Sequence, residues 1–149
     1  MANLPMLPFG LSKFNQQKIE QLANRVIVFV IPARVKSGVQ PNEIRFPWKG
    51  DVVDVYATCR VPGEIDYTLL KVQKISVQDF NETSTDPIGW VDIAQNCRLD
   101  ATARIVTPSM TLVNTAVNPN DHFRVIVDEL DDAIRDITLE ITIKTDFLD

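Results

Sequence analysis

The chain has 149 residues, 45% of them hydrophobic and 23% charged, which suits one globular domain that folds without a disulfide or metal staple. Its 15 Lys and Arg against 20 Asp and Glu give a net charge of −5, with no run of basic residues, so the cationic footprint that nucleic acid requires is missing. The longest purely apolar run, Val26 to Ile31, falls far short of the ~20 residues of a membrane-spanning helix.

The segment Met1-Ala2-Asn3-Leu4-Pro5 lacks the basic start and long apolar stretch of a secretory signal, so neither export nor membrane anchoring is expected. Residues 1–10 combine Pro5, Pro8 and Gly10 with Leu4, Met6, Leu7 and Phe9. A solvated tail would be polar. This apolar, aperiodic stretch predicts an arm that docks, either on its own domain or on a neighbouring subunit. Leu11 to Asn24 is the best helix candidate, with Gly10 and Ser12 as start signals. Leu11, Phe14 and Leu22, flanked by Ile19 and Ala23, give it a partial apolar face. So short a helix is marginal in isolation and needs a surface to pack on. Residues 1–24 are therefore expected to attach or oligomerise, and residues 25–149 to form the folded domain.

From Arg25 onward the period becomes two. Val26 to Ile31 is continuous and β-branched, as expected of a strand buried on both faces, and Pro32 then implies an edge, bulge or bend. Glu43 to Trp48 predicts a short strand with Ile44 and Phe46 on one face. Val53, Val55, Ala57 and Cys59 alternate with Asp54, Tyr56, Thr58 and Arg60, the pattern of a half-buried strand. Val61-Pro62-Gly63-Glu64 reads as a turn. Ile65 to Val77 predicts a long strand whose apolar phase slips, implying a bulge near Lys71 to Lys74.

After the polar loop Asn81 to Pro87, Ile88 to Ile93 is a short strand, and Arg98 to Ile105 and Ser109 to Asn114 are weaker candidates. Val117 to Asp121 is a turn, Phe123, Val125 and Val127 mark a strand, and Asp131 and Asp132 fall in an acidic, solvated loop. Ile137, Leu139, Ile141 and Ile143 define the clearest strand. About eight short strands with turn signals roughly every ten residues predict an all-β fold, an antiparallel jelly-roll-like β-sandwich.

Catalytic groups are sparse. His122 is the only histidine, and Asp121 beside it should point to the opposite face of a strand. Cys59 and Cys97 belong to no CxxC motif; they read as buried thiols, with a disulfide open to them if their strands are neighbours. Asp128-Glu129-Leu130-Asp131-Asp132 lacks the glycine of a calcium loop, and the five glycines stand singly, so no phosphate loop is present. No enzyme activity, metal or cofactor is expected. Trp90, in Ile88-Gly89-Trp90-Val91-Asp92-Ile93, is read as pointing into the core or onto a sheet face. Trp48 could serve core or interface, and joins Leu4, Met6, Leu7, Phe9 and Phe14 as an interface candidate.

Several segments, in their order, resemble the small jelly-roll-like modules of tailed-bacteriophage structural proteins. They are Ile44-Arg45-Phe46-Pro47-Trp48, Asp51 to Thr58, Pro62-Gly63, Trp90-Val91-Asp92-Ile93, Asn120 to Asp128 and Asp136 to Ile141. Those modules carry a glycine where this chain has Asn120. The resemblance implies a non-enzymatic virion protein, of the capsid-decoration or head-fibre type or a tail protein. It implies a homo-oligomer, trimers included, that assembles with other capsid or tail proteins in the host cytoplasm. The alternative is a receptor- or carbohydrate-binding tail module, with a host surface glycan as partner and Trp48 or Tyr56 as its platform.

Overall fold

The computed structural model describes residues 24–82, 87–108 and 110–146. Nine strands follow in order: β1 (Asn24–Arg34), β2 (Gly38–Phe46), β3 (Gly50–Val61), β4 (Thr68–Ile75), β5 (Val91–Leu99), β6 (Thr111–Leu112), β7 (Ala116–Val117), β8 (Asp121–Glu129) and β9 (Arg135–Thr145). The four-residue helix α1 (Val77–Phe80) lies between β4 and β5, capped by Ser76, whose hydroxyl accepts from the Asp79 N–H at 3.2 Å. The apolar arm and nearly all of the predicted helix lie outside the described residues. Its last residue, Asn24, opens β1 instead.

The strands form two antiparallel sheets, β1-β9-β3-β7 and β2-β8-β4-β5-β6. With β6 counted as an edge addition, each sheet draws alternately on both ends of the chain, which is the jelly-roll order. The fold class expected from the alternation is the one observed.

The core lies between the sheets and is built by parity. Three cross-strand rows of the four-stranded sheet face inward: Ile27, Ile141 and Val55; Phe29, Leu139 and Ala57; Ile31, Ile137 and Cys59. The opposing sheet contributes Phe123, Val125 and Val127 from β8, Leu70 and Val72 from β4, and Ile93, Cys97 and Leu99 from β5.

Three expectations are corrected by register. Val26 to Ile31 is not buried on both faces: only Ile27, Phe29 and Ile31 are inside, because β1 is an edge strand whose outer side is open. On β3 the inward residue is Val52 rather than Val53, since the pairing with β9 shifts between Val52 and Asp54. Val91 to Leu99 is one strand. Arg98 to Ile105 is not, because Arg104 to Val106 instead runs along β3, with the Cys59 N–H on the Arg104 carbonyl and the Val106 N–H on the Ala57 carbonyl, both at 3.0 Å.

Other readings are met. Pro32 sits on the edge strand beside a register shift, and β4 is irregular between Leu70 and Gln73, where the phase slips. The strand predicted from Ile65 begins only at Thr68, after the turn.

Candidate functional site

The outer face of the four-stranded sheet carries the largest departure from an ordinary solvated surface. Val26, Val28 and Val30 on β1 are 53%, 45% and 55% exposed. Across the sheet their rows read Val26, Thr142, Asp54; Val28, Glu140, Tyr56; and Val30, Thr138, Thr58. Val53, displaced by the β3 bulge, adds another exposed apolar side chain.

The rows exist because β1 is apolar at both parities, while β9 and β3 alternate apolar with polar residues. Among the described residues, no strand pairs with the other side of β1. Edge strands are usually blunted by charge, proline or cover, because their open backbone groups and apolar side chains recruit other chains. Here Arg25, Pro32 and Arg34 guard only the two ends.

Of the predicted interface residues, Trp48 is described. It is 45% exposed, meets Phe46 edge-on at 5.6 Å between ring centroids, and has the Arg25 guanidinium 5.8 Å from its ring. Arg25 leads into β1, so Trp48 borders the valine rows at their N-terminal end. Leu4, Met6, Leu7, Phe9 and Phe14 lie outside the described residues.

A second cluster went unread in the sequence because four separate segments build it. His122, on the outward parity of β8, stacks on Phe80 of α1 with ring centroids 4.0 Å apart. Phe80 meets Trp90 edge-on at 6.3 Å, and the Arg124 guanidinium lies 4.0 Å from the Trp90 ring. Arg124 Nε donates to Gln73 Oε1 at 2.9 Å, and Gln73 Nε2 donates to Asp92 Oδ1 at 2.8 Å. Trp90 is therefore half-buried against a sheet face rather than in the core. Trp90 Nε1 and His122 Nδ1 have no hydrogen-bond partner among the described residues.

The acidic loop is not simply solvated. Asp131 is 8% exposed and clasps the turn that follows β3. Its Oδ2 accepts from the backbone N–H groups of Glu64, Ile65 and Asp66 at 3.0, 2.9 and 2.9 Å, and its Oδ1 from that of Ala133 at 2.8 Å. These N–H groups, that of Asp66 foremost, favour the carboxylate and lower its pKa from 3.8 to about 2. Gly63 is required beside it, since a Cβ there would sit 2.9 Å from Asp131 Cγ. The clasp holds two loops together.

Cys59 and Cys97 are buried free thiols on different sheets. Burial raises the pKa of Cys59, with Arg104 opposing it, and pushes that of Cys97 up to about 12. Both stay protonated at neutral pH and are poor nucleophiles. Among the described residues, no group of three or more His, Cys, Asp or Glu is placed to hold a metal ion.

No family model, curated protein or solved structure matches this chain.

Proposed function

We propose that this chain is a non-enzymatic structural protein of a tailed-bacteriophage particle, of the capsid-decoration or head-fibre type, that assembles through its N-terminal arm and the outer face of its four-stranded sheet. The observation that carries the reading is the row Val26, Val28 and Val30 on an edge strand with no neighbour. A single-domain chain that leaves such a strand uncovered is expected to cover it by association. The jelly-roll order supports the reading, as a fold that recurs in viral capsid domains, though a fold alone does not fix a function. The segment order from Ile44 to Ile141 supplies the tailed-phage context. The test is co-sedimentation of the purified chain with particles of the encoding phage that lack it. The chain is expected to pellet with the particles; a chain that stays in the supernatant overturns the proposal.

One observation favours a second reading, a receptor- or carbohydrate-binding module. Trp90, Phe80, His122, Arg124, Gln73 and Asp92 bring aromatic rings and planar polar groups together on the other sheet, and sugars are bound by such mixtures. It predicts glycan binding that Trp90→Ala abolishes while the fold persists. A native chain that binds no glycan on an array removes it.

A further inference from the structure

Resting on the assembly reading, we infer that the valine rows of one copy are covered by the N-terminal helix of a second copy, so that the chains associate by exchanging their arms. The argument begins with reach. The predicted helix and β1 meet at Asn24 with no residue between them. A reversal from helix to strand in a compact domain takes about 2–6 residues of loop. Folding back onto its own outer face would therefore require unpairing the first rungs of β1, Asn24 with Lys144 and Arg25 with Ile143. An arm that leaves β1 without reversing runs past the end of its own sheet and meets a neighbour.

The two surfaces match in length and in chemistry. From Val26 to Val30 the outer row spans about 13 Å at roughly 3.3 Å per residue. A helix from Leu11 to Leu22 spans about 17 Å at roughly 1.5 Å per residue, enough to lie along that row. Helical spacing places Leu11, Phe14, Lys18 and Leu22 in one stripe, with Ile19 and Ala23 beside it. That stripe is apolar with one central positive charge. The sheet face has the complementary form: the exposed Glu140 lies in the middle row between Val28 and Tyr56, with Val26 and Val30 on either side. Lys18 against Glu140 fixes the register of an otherwise greasy contact, as a lone polar pair does in helix pairing. The exchange can close as a symmetric pair or continue from copy to copy.

The experiment uses three full-length chains and light scattering after size exclusion. The native chain is expected at the mass of two or more 16.8 kDa chains. Phe14→Asp with Leu22→Asp spoils the arm and leaves the face, whereas Val28→Lys spoils the face and leaves the arm. Val28→Lys places a cation opposite Glu140 on the neighbouring strand, which the fold tolerates; Val28→Thr is the gentler second variant if it does not fold. Each variant alone is expected to run as a single chain, and a mixture of the two is expected to form a complex with one chain of each kind. A native chain at single-chain mass, variants that still assemble, or a mixture that stays as separate chains overturns the exchange. A native chain that stays single yet pellets with particles overturns it while leaving the structural role standing. Exchange without particle binding does the reverse.

Discussion

Replacing Ile27 by Ala and Val28 by Thr tests the register on which the outer face depends. The two residues are neighbours on β1, yet Ile27 is 6% exposed in a row with the fully buried Ile141 and Val55, while Val28 faces outward. Ile27→Ala deletes three carbons, worth about 2.4 kcal/mol at roughly 0.8 kcal/mol each. The cavity left behind raises the cost to about 3 kcal/mol, within the usual range for such truncations. In a domain of this size each kcal/mol moves the midpoint by about 2–4 °C, so Tm should fall by about 6–12 °C. Val28→Thr keeps the β-branch and removes no buried surface from the isolated domain, so it should cost less than about 0.5 kcal/mol. The assay is urea and thermal unfolding followed by circular dichroism. It is done on chains that also carry Phe14→Asp and Leu22→Asp, so that association does not contribute. Equal losses for the two substitutions, or a larger loss at Val28, would refute the register, because a slip of one residue exchanges their faces.

The Asp131 clasp makes stability sensitive to acid. Because its pKa is lower in the folded chain than its ordinary 3.8, its contribution is complete above about pH 4 and is lost as pH falls through about 2. Thermal melts of Asp131→Asn should show a lower Tm at pH 7 and a smaller decline between pH 4 and pH 2 than the native chain; parallel curves would show that the clasp contributes nothing. Cys59 and Cys97 should resist a thiol reagent at pH 8 in the native chain and react once it is unfolded in guanidinium; rapid labelling of either in the native state contradicts their burial. Asn120 has φ +70°, and its Oδ1 accepts from Arg45. Asn120→Gly should therefore be near neutral, and Asn120→Val should cost on the order of 1–2 kcal/mol in denaturant unfolding, since a β-branched side chain is strained there.

That last position shows how far local chemistry can be read from the chain. Asparagine stands where the resembling modules carry glycine, and it meets the same need for a left-handed backbone. Strands β8 and β9 were legible because Phe123, Val125 and Val127, and Ile137 to Ile143, alternate without interruption. β1 was legible as a strand, but its outer face was not. Six consecutive apolar residues carry no parity signal, and only the strand order shows that one side of β1 is open. The β3 bulge similarly moved Val53 outward and Val52 inward, although both are valines in one alternating stretch. The Asp131 clasp and the Phe80, His122 and Trp90 cluster lay beyond local reading, since each joins segments far apart in the chain. No short motif marks such a meeting. Leu4, Met6, Leu7, Phe9 and Phe14 were singled out by composition alone, and their role is carried by the exchange experiment.

Quantitative mass spectrometry of purified particles of the encoding phage tests the structural role most directly. The account predicts this chain in the particle fraction at a constant ratio to the major shell protein across a density gradient. A chain confined to the soluble fraction, with particles that lack it, would contradict the account.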